Sequence, residues 1–118
     1  MPVRLTPLAP EEFEPIRERI ENGTADRSDL RAATKHLLAV LAEKEPGHSV
    51  EVRVPPYAAV QCIPGARHTR GTPPAVVEMD APTWIALALG REDWVTAVRD
   101  GRVVASGERS DLSAYLPV

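Results

Sequence analysis

The apolar and polar positions of this chain change their period along its length. Residues 27–45 carry apolar side chains at the 3.6-residue spacing of an amphipathic helix, after capping residues and before Pro46-Gly47. A shorter helix is expected over residues 14–22, ended by Gly23. The buried stripe of the longer helix is Leu30, Ala33, Leu37, Leu38 and Leu41.

At residue 50 the spacing of the apolar side chains changes to every second position. Valines alternate with charged residues over 50–54, which predicts a strand with one buried face. Residues 57–63 are apolar on both faces, so we expect a second strand in the centre of the sheet. A third strand is predicted over residues 76–79.

The rest of the chain is predicted to contain three helices and one strand. Asp80 is placed to cap a helix that ends at Gly90, and a second helix over 92–100 is followed by a strand over 102–106. A last helix is capped by Ser110 or Asp111. This order predicts an α+β fold, with helices over one face of a mainly antiparallel sheet.

The chain length limits the number of domains that the protein can contain. At 118 residues it can form one hydrophobic core, so we expect a single domain over 1–118, in which residues 1–25 are an extension with a short helix. No apolar run approaches the ~20 residues of a membrane span, and no secretory signal precedes the first helix. We therefore expect a soluble, cytoplasmic protein without integral membrane association.

Charge and cysteine content exclude further classes. The net charge is −3 and the basic residues are scattered, so nucleic acid is not an expected partner. Twelve Arg against two Lys indicate coding in a GC-rich genome. A single cysteine, Cys62, cannot form an internal disulfide, and its apolar surroundings predict that it is buried.

The candidate catalytic groups are few. Pairing Cys62 with His68 is disfavoured, because a cysteine in an apolar strand has a raised pKa and poor access. We expect His36 and His48 at the surface, and the acid pairs at 26/29 and 92/93 as helix caps. The sequence thus predicts no catalytic residue, no metal and no cofactor.

One long polar loop, over residues 66–74, is a possible functional segment. It combines His68, Arg70 and Thr72, and such a loop can bind an anion. The alternative is a solvated connection whose Gly71 and prolines only set its direction.

The C-terminal half contains a recognisable succession of motifs: Glu78-Met79-Asp80-Ala81-Pro82-Thr83-Trp84 through Gly90, then Trp94, Ala97 and Gly101, and then Ala105-Ser106-Gly107-Glu108. In these residues it resembles the sterol carrier protein type two family. Residues 52–61 and 68–74 are similar to a bacterial branch of sterol carrier orthologues, and the resemblance covers residues 26–118. More distantly, the chain is similar to the accessory domain of mycothiol-dependent maleylpyruvate isomerases.

This resemblance implies a twisted five-stranded sheet, of which the sequence pattern predicts four strands, and an apolar tunnel for sterols, fatty acids or their coenzyme A esters. It implies neither a cofactor nor a metal. The expected partner is a hydrophobic small molecule: a lipid, a sterol-like compound or a fatty acyl group. The expected cavity residues are Val52, Val54, Val60, Trp84, Leu87, Trp94, Val98, Val104 and Leu112.

Two alternatives stay open beside the lipid carrier. Each cavity residue is equally compatible with core packing, in which case the chain is an accessory or protein-interaction domain with a filled cavity. The second alternative is an enzyme, but the sequence lacks a recognisable set of acid, base and nucleophile.

Overall fold

Two helices precede the sheet in the computed structural model, which describes residues 4–65, 75–107 and 110–118. Helix α1 spans Pro10–Glu21 and helix α2 spans Arg27–Lys44. The prediction for α2 is confirmed to within a residue at its end. Helix α1 begins at Pro10 rather than near Glu14, because Pro10 suits the first turn and Pro15 is accommodated inside the helix.

A reciprocal cap begins α2. The Asp26 carboxylate accepts a hydrogen bond from the Asp29 N–H at 2.9 Å, and the Asp29 carboxylate accepts from the Asp26 N–H at 3.2 Å. The Arg19 guanidinium of α1 donates two further bonds to Asp29, at 2.7 and 2.9 Å. These bonds, with Arg19 as the largest influence, lower the pKa of Asp29 to about 2. The predicted capping role of this acid pair is confirmed.

Four strands form one mixed sheet in the order β2-β1-β3-β4. Strand β1 pairs antiparallel with β2 and parallel with β3, and β3 pairs antiparallel with β4. Two of the three pairings are therefore antiparallel, which confirms the mainly antiparallel α+β fold. The bounds are Val50–Val54 for β1, Ala58–Cys62 for β2, Ala75–Met79 for β3 and Val103–Ser106 for β4.

The expected central position of β2 is wrong for the described strands, because β2 ends their order. Its apolar character has another cause. Helix α2 packs against β2, so one face of the strand faces helix and core. The small residues Ala58 and Ala59 leave room beside the strand, and Val60 is only half-buried.

The two faces of the sheet differ in chemistry. Val50, Val52 and Val54 are fully buried, and their register partners in β2 and β3 share this core face. The opposite face carries charged and small side chains, among them Arg53 and Glu78, which are exposed and paired in register. The helices thus cover one face of the described sheet.

Two short helices follow β3. Helix α3 spans Ala81–Ala88 and helix α4 spans Trp94–Arg99. The Asp80 carboxylate accepts from the Thr83 N–H and the Asp93 carboxylate from the Thr96 N–H, both at 3.0 Å. The last predicted helix is a single 3-10 turn, Ser113–Tyr115.

Trp84 lies at the centre of the core. Its side chain is fully buried, and its indole N–H donates to the backbone carbonyl of Thr34 in α2 at 3.3 Å. This contact fixes α3 against α2. At the end of the chain, the Val118 N–H donates to the Ala88 carbonyl at 3.0 Å, which holds the C-terminal segment on α3.

Candidate ligand site

Most of the expected cavity residues belong to one continuous hydrophobic core. Five of them are almost completely buried, and Trp94 is 8% exposed. Val60 is half-buried and packs against the same cluster. The other residues that the structure brings together there are Val52, Val54, Trp84, Leu87 and Leu112.

Two of the expected residues lie at the surface instead. Val98 is 39% exposed, because α4 turns Trp94 and Ala97 toward the core. Val104 is 65% exposed, because it pairs with Glu78 on the face of the sheet opposite the core. The part that any of the nine residues takes in ligand binding stays a prediction.

The possible functional loop is not described by the structure. His68, Arg70 and Thr72 all lie outside the described residues.

A groove with a volume of about 650 Å³ lies beside β2. The C-terminal half of α2 forms one wall and β2 another, and the N-terminal segment (residues 4–9) and the turn after α2 (residues 45–49) complete it. Val60 is the one expected cavity residue that lines it. The lining residues are Arg4, Leu5, Ala39, Ala42, Glu43, Pro46, Gly47, His48, Glu51, Ala59, Val60 and Gln61.

Backbone contacts hold the turn between α2 and β1 in place. The Ile63 N–H donates to the Glu45 carbonyl at 2.7 Å, and the Ser49 hydroxyl donates to the Ile63 carbonyl at 2.5 Å. A Cβ atom at Gly47 would lie 2.1 Å from the Ile63 oxygen, so only glycine fits. Ile63 itself has a φ of 71°, an unfavourable value for a β-branched residue. This wall of the groove is therefore preformed.

The chemistry of the groove is mainly apolar with a polar rim. Leu5, Ala42, Ala59 and Val60 offer aliphatic surface, whereas Glu43, His48, Glu51 and Gln61 add polar groups. The His48 Nδ1 lies 2.9 Å from the Gln61 Oε1 and joins the turn to β2 at this rim. Such a lining suits a molecule with a long apolar part.

A second depression adjoins the groove and has a volume of about 380 Å³. Arg4 and Leu5 line both cavities, so the two are separated only by the N-terminal segment. The other residues that line the depression are Thr6, Leu8, Ser28, Arg31, Ala32, Lys35 and His36.

His36 attaches the N-terminal segment to α2. Its Nδ1 accepts a hydrogen bond from the Leu8 N–H at 2.9 Å, and its ring stacks on Phe13 of α1 with centroids 4.1 Å apart. Partial burial lowers the pKa of His36. The sequence predicted a surface histidine here, since nothing in the local pattern shows that Leu8 and Phe13 would cover it.

The described residues contain no recognisable catalytic arrangement. Cys62 is buried, and burial together with the charge of Glu45 raises its pKa to about 12, so it is a poor nucleophile. Within the described part of the chain, no three His, Cys, Asp or Glu side chains are grouped to hold a metal ion. None of the described helices is long and apolar enough to cross a membrane.

A known protein family matches most of the chain. The family model described as "Bacterial SCP ortholog" matches residues 26–118, from the cap of α2 to the end of the chain. The match includes every described strand and the helices α2, α3 and α4, whereas α1 and the N-terminal segment precede it. No curated protein is significantly similar to the chain.

Proposed function

This chain belongs to the bacterial sterol carrier orthologue family, and from that premise we propose that it binds a lipid, sterol-like or fatty-acyl molecule without catalysing a reaction on it. Lipid binding is the general property that the family suggests. We also propose where on the protein the ligand binds and which residues contact it.

The observation that carries the proposal is the 650 Å³ groove beside β2. Its volume falls within the range of roughly 300–1,000 Å³ that is typical of small-molecule sites. We assign the apolar part of the ligand to the surface formed by Leu5, Ala42, Ala59 and Val60. Among the expected cavity residues, Val60 becomes the proposed contact in this groove.

Burial of hydrocarbon provides the binding energy. Removing about 200 Å² of an acyl chain from water contributes about 5 kcal/mol at roughly 25 cal/mol per Å². Binding opposes this with lost translational and rotational freedom, so micromolar affinity needs a ligand that covers most of the groove. An extended acyl chain or a sterol-like ring system meets that need, whereas a small polar metabolite does not.

The first test is native mass spectrometry of the protein purified from its own host, with lipid extraction. We expect a stoichiometric co-purifying lipid, and we expect a fluorescent fatty acid to be displaced by added fatty acid. A protein that carries no lipid and displaces no probe contradicts lipid binding.

A substitution that fills the groove locates the site. Ala59 is exposed and lines the groove from β2, so Ala59→Trp introduces an indole there without disturbing the core. We expect affinity for the fluorescent fatty acid to fall by about tenfold or more. Ala114→Trp is the matched control, because Ala114 is exposed and does not line the groove. Equal binding by both variants would contradict the assignment of the groove.

A second function is favoured by the buried cluster. Val52, Trp84 and Leu112 are fully buried and belong to one core, as in a domain that keeps this fold as a protein-interaction module. Under this alternative, the purified protein carries no lipid and Ala59→Trp leaves probe fluorescence unchanged. The same experiments therefore separate the two functions.

A further inference from the structure

Three cations line the 380 Å³ depression next to the groove: Arg4, Arg31 and Lys35. None of the three forms an ion pair with a described residue. Six other arginines do pair with described carboxylates, namely Arg17, Arg19, Arg53, Arg91, Arg99 and Arg102. Of the five described cations without an ion-pair partner, three therefore lie at this depression, and the other two, Arg27 and Lys44, line neither cavity.

The arrangement has a cost in helix stability. Arg31 and Lys35 are four residues apart on α2, where like charges repel by a few tenths of a kcal/mol. Arg4 adds a third positive charge from the N-terminal segment, and no carboxylate of the described residues lines the depression. In a chain with a net charge of −3, such a cluster suits an anion.

The depression adjoins the apolar groove at the N-terminal segment. Arg4 and Leu5 line both, so positive charge and aliphatic surface meet at the N-terminal segment. Hydrocarbon on one side and guanidinium and ammonium groups on the other match the two ends of an amphiphile. Arginine and lysine both bind carboxylates and phosphates through charge-assisted hydrogen bonds.

We propose that Arg4, Arg31 and Lys35 bind the carboxylate or phosphate head group of an anionic amphiphile whose apolar tail occupies the groove. This inference rests on the proposed function, and it specifies the ligand class and the end of the site that recognises it. Residues 4–5 precede the family match, so head-group recognition includes residues outside the matched region.

The test compares ligands that share a tail. A C16 fatty acid, a monoalkyl phosphate and the uncharged alcohol of the same length each compete with a fluorescent fatty acid, with inorganic phosphate as a fourth competitor. We expect the two anionic amphiphiles to bind about tenfold more tightly than the alcohol, and this preference to weaken as salt is raised. Inorganic phosphate is expected to compete poorly, because it lacks the tail.

The double variant Arg31→Gln/Lys35→Gln should remove the preference while leaving affinity for the alcohol unchanged. The matched control is Arg27→Gln/Lys44→Gln, which removes the same charge from the two ends of α2 at residues that line neither cavity. Urea unfolding checks that both variants fold. Equal binding of acid and alcohol by the unmodified protein, or equal loss of preference in both variants, would overturn the proposal.

The results distinguish failure of the head-group site from failure of lipid binding itself. Binding of the alcohol and of both anions with equal affinity rejects the head-group site and leaves lipid binding intact. Displacement by inorganic phosphate as strong as by the alkyl phosphate identifies a free anion and rejects the amphiphile. No displacement by any of the tailed competitors rejects lipid binding itself.

Discussion

At the scale of single residues, His36 makes attachment of the N-terminal segment sensitive to pH. Its Nδ1 accepts the Leu8 N–H, so only the neutral ring can make this bond. Arg4, Arg31 and Lys35 line the same depression and oppose a positive charge on the ring, while Phe13 stacks on it from α1. Protonation of His36 therefore breaks the bond and adds a fourth positive charge.

We predict that stability falls as the pH is lowered through the range in which free histidine titrates. Burial lowers the pKa of His36 below its ordinary value of 6.5, so its contribution is complete above about pH 6.5 and is lost below it, as the unfolded chain takes up a proton first. Urea unfolding at about pH 7.5 and at about pH 5.5 measures the change.

The control for this prediction replaces the imidazole with an amide. His36→Asn retains an acceptor near Nδ1 and cannot titrate, so its stability should change less between the two pH values. An equal pH dependence in His36→Asn and in the unmodified protein would show that His36 is not responsible.

At the scale of elements, the turn between α2 and β1 depends on one glycine. Gly47 approaches the backbone of Ile63 and Pro64 so closely that an added Cβ would lie 2.1–2.7 Å from three backbone atoms. These atoms cannot move without displacing the end of β2 from the turn. The close approach therefore fixes the wall of the groove.

We predict that Gly47→Ala destabilises the protein strongly. Gly101→Ala is the control, because Gly101 has a φ of 76° and no atom within 4 Å of an added Cβ, so it should cost only about 1–2 kcal/mol of conformational strain. Gly47→Ala should exceed this value by at least about 1–2 kcal/mol in urea unfolding. Equal costs would mean that the turn relaxes around the new methyl group.

At the scale of the whole molecule, Trp84 links three parts of the core. It lies on α3, donates to the carbonyl of Thr34 in α2, and belongs to the cluster that includes the valines of β1. Because Trp84 is fully buried, truncation of its side chain leaves a cavity between the helices and the sheet.

Trp84→Ala is expected to cost about 3–5 kcal/mol in the free energy of unfolding. Trp84→Phe should cost less, since it keeps most of the apolar volume and loses the hydrogen bond to Thr34. Ala114→Trp, at an exposed position, gives the effect of an ordinary surface change. A loss below about 1 kcal/mol in Trp84→Ala would show that the core is loosely packed at this point.

Local pattern predicted most of the elements, and the errors occur where distant contacts decide. The capping acids Asp80 and Asp93 and the alternating valines of β1 were sufficient for α3, α4 and β1. Helix α1 begins at Pro10 rather than at residue 14, because it accommodates one proline in its first turn and another, Pro15, in its interior. The edge position of β2 depends on which strand pairs with which, and an apolar segment of five residues does not encode its neighbours.

The sequence by itself determined the α+β class, the family, and the residues that are apolar enough for a core, because periodicity and capping are properties of adjacent positions. Only the tertiary structure decided which of those residues line a cavity. It brought Val60 to a groove with Leu5 and Ala42, turned Val98 and Val104 outward, and set Arg4 beside Arg31 and Lys35. These juxtapositions join residues far apart along the chain, and they follow from strand order and helix packing rather than from any local pattern.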